Sequence, residues 1–368
     1  MAEADKAHFW LRHEVKPFEH RTPVLPRHAK RLLDAGYKVS VERSPARCVE
    51  DAKYEEVGCT MVATGSWATD APADAVILGL KELPEDVDAL QHRHIFFGHC
   101  FKGQGGWKEM IGRFVRGGGS VYDVEFCVND TGRRVAAFGR AAGYVGMAAG
   151  IQAWAAQQAG GGQLGALEPY KDFSALAAAT KELVEKQAGG RAPRVIVIGA
   201  LGRAGNGAVD AALASGVPEE NITKWDLAET KVGGPFPVIV SDYDIMVNCV
   251  YLSSYIPPFV TEDMLDVGNR RLSVLVDVSC DTTNPNNPVP VYKTNSTFPK
   301  PVIRRRNPAD AVAAFDVISI DHLPSLVPFE SSIEFGDDLC THLLEFDQSP
   351  VWQRAIKLFR EKVEEASA

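Results

Sequence analysis

Short apolar runs recur along the chain with polar, helix-like stretches between them. The runs at 8–11, 37–41 (YKVSV), 59–63 (CTMVA) and 75–80 (AVILGL) are continuous rather than alternating, the pattern of parallel strands buried on both faces. A helix is predicted between the first two, with Thr22 as its cap, Pro23 in its first turn and Gly36 as its stop. A second series begins near residue 194 with RVIVIGA, ITKWD, DIMVNCVYL, LSVLVDVS and FDVISID, flanked by helical stretches at 170–188 and 205–215. Strand and helix alternating in two series predict an α/β protein of two Rossmann-like, doubly wound parallel-sheet domains.

Between the series lies GRAAGYVGMAAGIQAWAAQQAGGG, whose small residues fit either a helix packed tightly on a neighbour or a helical linker ending at Gly160. Two further helices are expected at about 331–346 and 350–365. If they return to the first sheet, the first domain is discontinuous, 1–135 plus 325–368, around a second domain at 136–324.

Composition narrows the function. The 368 residues carry a net charge of −9, which opposes a general nucleic-acid surface, so an anionic ligand needs a local group of cations. No run approaches a membrane span, and the N-terminus lacks a signal-peptide core. Seven cysteines without a C-x-x-C pair suit reduced thiols in a cytoplasmic protein.

The segment RVIVIGALGRAGNGAVDAALASG reads as strand, glycine turn and helix, with Gly199, Gly202 and Gly205 at G-x-x-G-x-x-G spacing. That departs from G-x-G-x-x-G, yet such a turn still brings backbone N–H groups and a helix N-terminus to a pyrophosphate. Asp226 ends the next strand, twenty-one residues past Gly205, where a carboxylate accepts from a ribose diol and repels a 2′-phosphate. NAD is therefore expected as cofactor. An ordinary βαβ turn with a surface Asp fits the same spacing, and Arg203 could face pyrophosphate or solvent.

Candidate chemistry lies at strand exits in the first series. Lys81 follows AVILGL, His99 follows IFFG, and Lys102 comes three residues later. Arg133 and Arg134 stand near the end of that series, and Lys16 and Arg21 follow the first strand. Lys16, Arg21, Lys102 and Arg134 could surround a multiply anionic substrate, a planar arginine donating two parallel hydrogen bonds to one carboxylate. Solvated cations, a Lys81–Glu82 surface pair and a core His99 fit the same positions. His92, His94 and His99 could form a metal site, since His92 and His94 share a strand face, but no H-E-x-x-H or cysteine pair accompanies them, so no metal is expected.

The stretches RHEVKPFEHRTP, ILGLKELPE, FGHCFKGQGGW, YDVEF, GRRVAAFG, VIGALGRAGNGA and ISIDHLPSLVP closely resemble the fungal saccharopine dehydrogenases of the NAD-dependent, lysine-forming type, in the family's order from about residue 9 to the last helix. That family is similar in fold to alanine dehydrogenase and the soluble transhydrogenase domain, with the active site in the cleft between two domains. The resemblance implies NAD-dependent cleavage of saccharopine to L-lysine and 2-oxoglutarate in lysine biosynthesis. It implies Lys81 as proton acceptor and His99 as partner acid–base. Arg21, Gln104 and Arg134 fall among its substrate contacts, with Lys16 and Lys102 nearby. Its cofactor contacts fall at Gly202, Arg203, Asp226, Thr230, Tyr251, Asp321, Arg133, Phe138 and Val278. Glu82 and Glu125 are placed to tune the catalytic groups, and Glu14 and Glu19 to hold the cations. Residue 204 is Ala where some members carry Cys, so no redox bridge to Cys249 is expected. A monomer is expected, closing around its substrate. The alternatives are an alanine dehydrogenase-like deamination and a dinucleotide sensor without turnover.

Overall fold

The computed structural model describes residues 6–103, 105–280, 282, 284–305 and 314–367. The chain forms two compact units, Met1–Phe138 with Pro328–Ala368 (unit 1) and Gly139–Val327 (unit 2).

In chain order, unit 1 begins with β1 (His8–Leu11), α1 (Pro26–Asp34), β2 (Lys38–Glu42), α2 (Asp51–Glu56) and β3 (Thr60–Val62). It continues through α3 (Trp67–Asp70), β4 (Val76–Leu78), β5 (Arg93–Phe96), α4 (Trp107–Gly117) and β6 (Ser120–Asp123). Unit 2 follows with α5 (Gly139–Gln158), α6 (Phe173–Ala188), β7 (Val195–Ile198), α7 (Arg203–Ala214), β8 (Ile222–Trp225), α8 (Leu227–Thr230) and α9 (Pro237–Asp242). Its remaining strands are β9 (Ile245–Asn248), β10 (Val274–Asp277), β11 (Ile303–Arg305) and β12 (Phe315–Ile318). Helices α10 (Pro328–Leu343) and α11 (Pro350–Ser367) then complete unit 1.

Among the described residues, sheet 1 has the order β3-β2-β1-β4-β5-β6, with every pairing parallel. Sheet 2 has the order β11-β12-β10-β9-β7-β8, parallel except for β11, which pairs antiparallel with β12. The doubly wound expectation holds for both.

Side-chain alternation explains the continuous apolar runs. Phe9, Leu11, Val39, Val41 and Leu78 pack on one face of sheet 1, and Trp10, Ile77, Phe96 and Val121 on the other. In sheet 2, Val195, Val197, Val247 and Val276 fill one core, while Ile196, Ile198, Met246 and Leu275 fill the second. Both faces are covered, so most strand positions are apolar, and the buried polar exceptions, such as Glu42 and Asp316, are hydrogen-bonded. Helix α5 is buried almost throughout, and its small residues allow that. A methyl on Gly143 would overlap the Ala204 carbonyl of α7. The stretch is thus a packed helix over Gly139–Gln158, followed by a turn, rather than a linker.

One local expectation changes. α1 starts at Pro26, with Leu25 as N-cap, not at Thr22. The Thr22 hydroxyl donates to Val24 O inside its own loop, and His28 Nδ1 accepts from Leu25 N, satisfying a helix-end donor in its place. Strands β6 and β11 and helices α2, α3, α4, α8 and α9 are additional to the predicted elements. No helix among the described residues is long and apolar enough to cross a membrane.

Candidate active site

The order of sheet 1 reverses between β1 and β4, and such a reversal opens a crevice at the carboxyl ends of the strands. Lys81 leaves β4 at this point, only 6% exposed. β4 and β5 are direct neighbours, and their ladder continues past the strands through Gly79 N to Ile95 O (3.0 Å) and Phe97 N to Leu80 O (3.1 Å). His99 therefore leaves the adjacent strand, half-buried, and holds a left-handed backbone at φ +49°. For a residue with a Cβ that conformation is uncommon, and strained backbone of this kind gathers at functional sites.

Each of the four candidate cations lies on a protein carboxylate. Lys16 Nζ donates to Glu82 Oε1 at 2.9 Å. The buried Arg21 donates from Nε (2.8 Å) and Nη2 (2.6 Å) to the two oxygens of Glu19, with its guanidinium 4.1 Å from the centre of the Phe138 ring. Glu125 Oε1 accepts from both Lys102 Nζ (2.7 Å) and Arg134 Nη2 (3.2 Å), so that one carboxylate brings two of the cations together. Burial alone would raise Glu125, but the bond and charge of Lys102, then the charges of Arg134 and His99, hold it below the ordinary range. Glu82 is likewise lowered on balance, its burial outweighed by the bond and charge of Lys16. Arg133 is exposed in the turn that precedes Arg134, and the Phe138 ring stacks on Phe335 at 4.2 Å. Both belong to unit 1. Gln104 lies outside the described residues.

Sequence reasoning missed Asp123, at the carboxyl end of β6. It is 1% exposed, its Oδ1 accepts from Glu125 N at 3.0 Å, and its Oδ2 lies beside Gly98, next to His99 in the chain. Burial pushes this carboxyl up to about 7, against the hydrogen bonds from the Glu125 and Gly98 backbone. Its only sequence signal was an Asp closing the apolar run SVYD. The pair His92 and His94 packs into the core instead of forming a ligand set. The His94 ring meets Trp67 edge-on at 5.1 Å and Phe114 at 5.3 Å, and burial holds it well below the ordinary histidine range. Among the described residues no three His, Cys, Asp or Glu side chains gather as a metal set.

In unit 2 the order reverses between β7 and β9, where the glycine turn lies. Gly199 has φ +83°, and a methyl on Gly205 would overlap Gly199 O, so the first and third glycines answer to the chain itself. Gly202 differs. As N-cap of α7 it has, among the described residues, only Gly199 O near an added Cβ, at 3.3 Å. That leaves room for a ligand phosphate at the N-terminus of a twelve-residue helix. The Asp226 carboxylate accepts from Leu201 N (2.9 Å) in the glycine turn and from Leu227 N (2.8 Å), which sets it beside the turn. Thr230 is buried and its hydroxyl donates to Asp226 O at 2.9 Å, so it supports that carboxylate's loop. Arg203 opens α7, Tyr251 follows β9 with 44% exposure, Val278 follows β10, and the exposed Asp321 follows β12. All four leave the carboxyl edge of sheet 2. The open second glycine, the helix terminus and the adjacent carboxylate fit a dinucleotide.

Residues 10–145 match the family described as Alanine dehydrogenase/PNT, N-terminal domain. The chain is 49% identical over 362 residues to "Saccharopine dehydrogenase [NAD(+), L-lysine-forming]" of Emericella nidulans, covering 96% of each chain. The protein of the same description from Yarrowia lipolytica is 49% identical over 364 residues, again covering 96% of each. A solved L-alanine dehydrogenase superposes with a TM-score of 0.65 at 14% identity, covering 96% of this chain and 94% of that one, a likeness of fold alone.

Proposed function

Since the chain belongs to the family of NAD(+)-dependent, L-lysine-forming saccharopine dehydrogenases, we propose that it cleaves saccharopine oxidatively, with NAD and water, to L-lysine, 2-oxoglutarate and NADH. The reaction is reversible and closes the α-aminoadipate route of lysine biosynthesis. We take unit 1 as the substrate and catalytic domain and unit 2 as the NAD-binding domain.

Gly199, Gly202 and Gly205 would hold the pyrophosphate, Asp226 the adenosine ribose, and Arg203, Tyr251, Val278 and Asp321 the flanking groups, with Thr230 behind Asp226; the family resemblance adds Arg133 and Phe138 as cofactor contacts. When bound, NAD supplies the hydride acceptor. Saccharopine has three carboxylates, and Lys16, Arg21, Lys102 and Arg134, with Gln104, are assigned to them. Arg21 suits this because Glu19 engages two of its five N–H donors. The secondary amine must lose its proton as the adjacent carbon loses hydride, and Lys81 Nζ takes it. Water then adds to the imine carbon, with the His99 imidazole removing the water proton. When the carbinolamine collapses, its hydroxyl gives a proton back to one of these two groups as the C–N bond breaks, the departing lysine nitrogen gains protons from them, and one proton leaves to solvent over the whole reaction.

The observation that carries this reading is the pairing of β4 with β5, which puts Lys81 and His99 on adjacent strand exits among cations suited to a tricarboxylate. NADH absorbance after mixing protein, NAD and saccharopine tests it, and L-alanine in place of saccharopine should be inert. Turnover of L-alanine with none of saccharopine would overturn the reading. We propose a monomer acting in the cytoplasm; sedimentation at micromolar concentration tests the first part.

A further inference from the structure

We propose that Arg12 and Glu14 form a positioning clamp for Lys81, a role that rests on Lys81 being the proton acceptor. Arg12 and Glu14 lie 69 and 67 residues from Lys81 in sequence but meet it where β1 and β4 leave the sheet. Glu14 Oε1 accepts from Leu80 N at 2.7 Å and Oε2 accepts from Lys81 N at 2.9 Å. The Arg12 guanidinium donates through Nη2 to the Lys81 carbonyl, and its Nη1 lies 3.3 Å from Glu14 Oε2. The peptide groups on both sides of the Lys81 Cα are thus tied to one ion pair.

The pair is itself fixed. Arg12 is 2% exposed, its backbone N donates to Leu78 O at 3.0 Å, and Nη1 also donates to His13 O at 3.0 Å. His13 is in turn held by Glu42, which accepts from its backbone N (3.0 Å) and its Nδ1 (2.9 Å). Gly79 completes the seat, because a side chain there would run into the Arg12 guanidinium.

Energetics favour a geometric role. Buried ion pairs gain little over well-packed apolar residues, since desolvation offsets their attraction. Here the charged groups also take three backbone contacts that fix where the Lys81 side chain begins. A base must stand within hydrogen-bond reach of its proton, so a shift in this peptide changes turnover without removing any group that touches substrate.

The experiment uses Glu14→Ala, Glu14→Gln and Gly79→Ala in the full chain, each alone and combined with Lys81→Met. Glu14→Ala should lower kcat roughly 10- to 100-fold, with the KM for NAD within about twofold of the parent because the glycine turn belongs to the other unit. Glu14→Gln, which keeps volume and one acceptor oxygen, should recover part of that loss. Gly79→Ala keeps both charges and should reproduce the defect by displacing Arg12, which covers the case in which Glu14→Ala does not fold. In the Lys81→Met background none of the three should lower kcat further. Parent-like kcat in both Glu14→Ala and Gly79→Ala would overturn the clamp, as would an equal loss with and without Lys81, the mark of a merely structural role. Full turnover in Lys81→Met alone would instead overturn the assignment of Lys81, and the clamp with it.

Discussion

At the carboxyl edge of sheet 1 the charge sits on long side chains: Lys16 on Glu82, Arg21 on Glu19, and Lys102 and Arg134 together on Glu125. At the carboxyl edge of sheet 2 recognition rests on backbone, a glycine turn at the start of α7 with one carboxylate, Asp226, bonded into it. The difference concerns where specificity is stored. A glycine turn and the next strand's Asp are local, so their spacing along the chain carries the site. The sheet 1 edge is assembled from partners up to 69 residues apart, as between Arg12 and Lys81. Such an edge should be sensitive to substitutions far from the reacting atoms, and the glycine edge only to changes within its own turn.

The sharpest break of this comparison is removal of the side-chain chemistry alone. Lys81→Met or His99→Gln should each lower kcat by roughly 10²–10⁴-fold, while NAD affinity by fluorescence titration stays unchanged. A parallel loss of NAD affinity would mean that the two edges are not separable.

Next in size is a pH effect confined to unit 1. Asp123 is raised from 3.8 to about 7 in the folded chain, chiefly by burial. Between those values the native state keeps a proton that the unfolded chain has lost, so this group's contribution to stability falls as pH rises from about 4 to about 7. Asp123→Asn should abolish that decline, worth at most roughly 4 kcal/mol. Urea midpoints at pH 5 and pH 8 measure it; the variant should gain on the parent at the higher pH, and equal differences at both would refute the assignment.

Arg134→Ala removes a carboxylate ligand without touching the proton-transfer groups. The KM for saccharopine should rise by roughly 10- to 100-fold, the size of one hydrogen bond to a charged group, with a smaller change in kcat. Steady-state kinetics at saturating NAD would show the split. The smallest effect is expected on the glycine edge. Asp226→Ser should cost about 1–2 kcal/mol of NAD recognition and narrow the preference over NADP. If the parent already prefers NADP in a direct comparison, the role given to Asp226 is wrong.

Much of the architecture was legible along the chain. Parallel strands covered on both faces are mostly apolar, so VIVI at 195–198 and VIL at 76–78 announced themselves. β11 did not, because its sequence Ile-Arg-Arg carries charged residues on an edge strand, and β6 did not, because Ser120 and Asp123 bound a run of only two apolar positions. The start of α1 was misplaced by a hydroxyl spent inside its loop, a competition that no spacing rule sees. In the site, the strand exits pointed to Lys81, His99, Lys102 and the glycine turn. They were silent on Asp123, whose burial comes from neighbouring strands and not from its own segment.

What the sequence determined by itself was therefore whatever depends on neighbours along the chain: strand runs, helix punctuation, the glycine turn with its following Asp, and the family motifs. Tertiary structure alone decided the strand orders, the reversal that puts the β1 exit beside Lys81, the carboxylate chosen by each cation, and the raised Asp123. Strand order and side-chain pairing depend on contacts between segments tens of residues apart. Their energies reflect burial and geometry at the meeting point, which periodicity and spacing do not record.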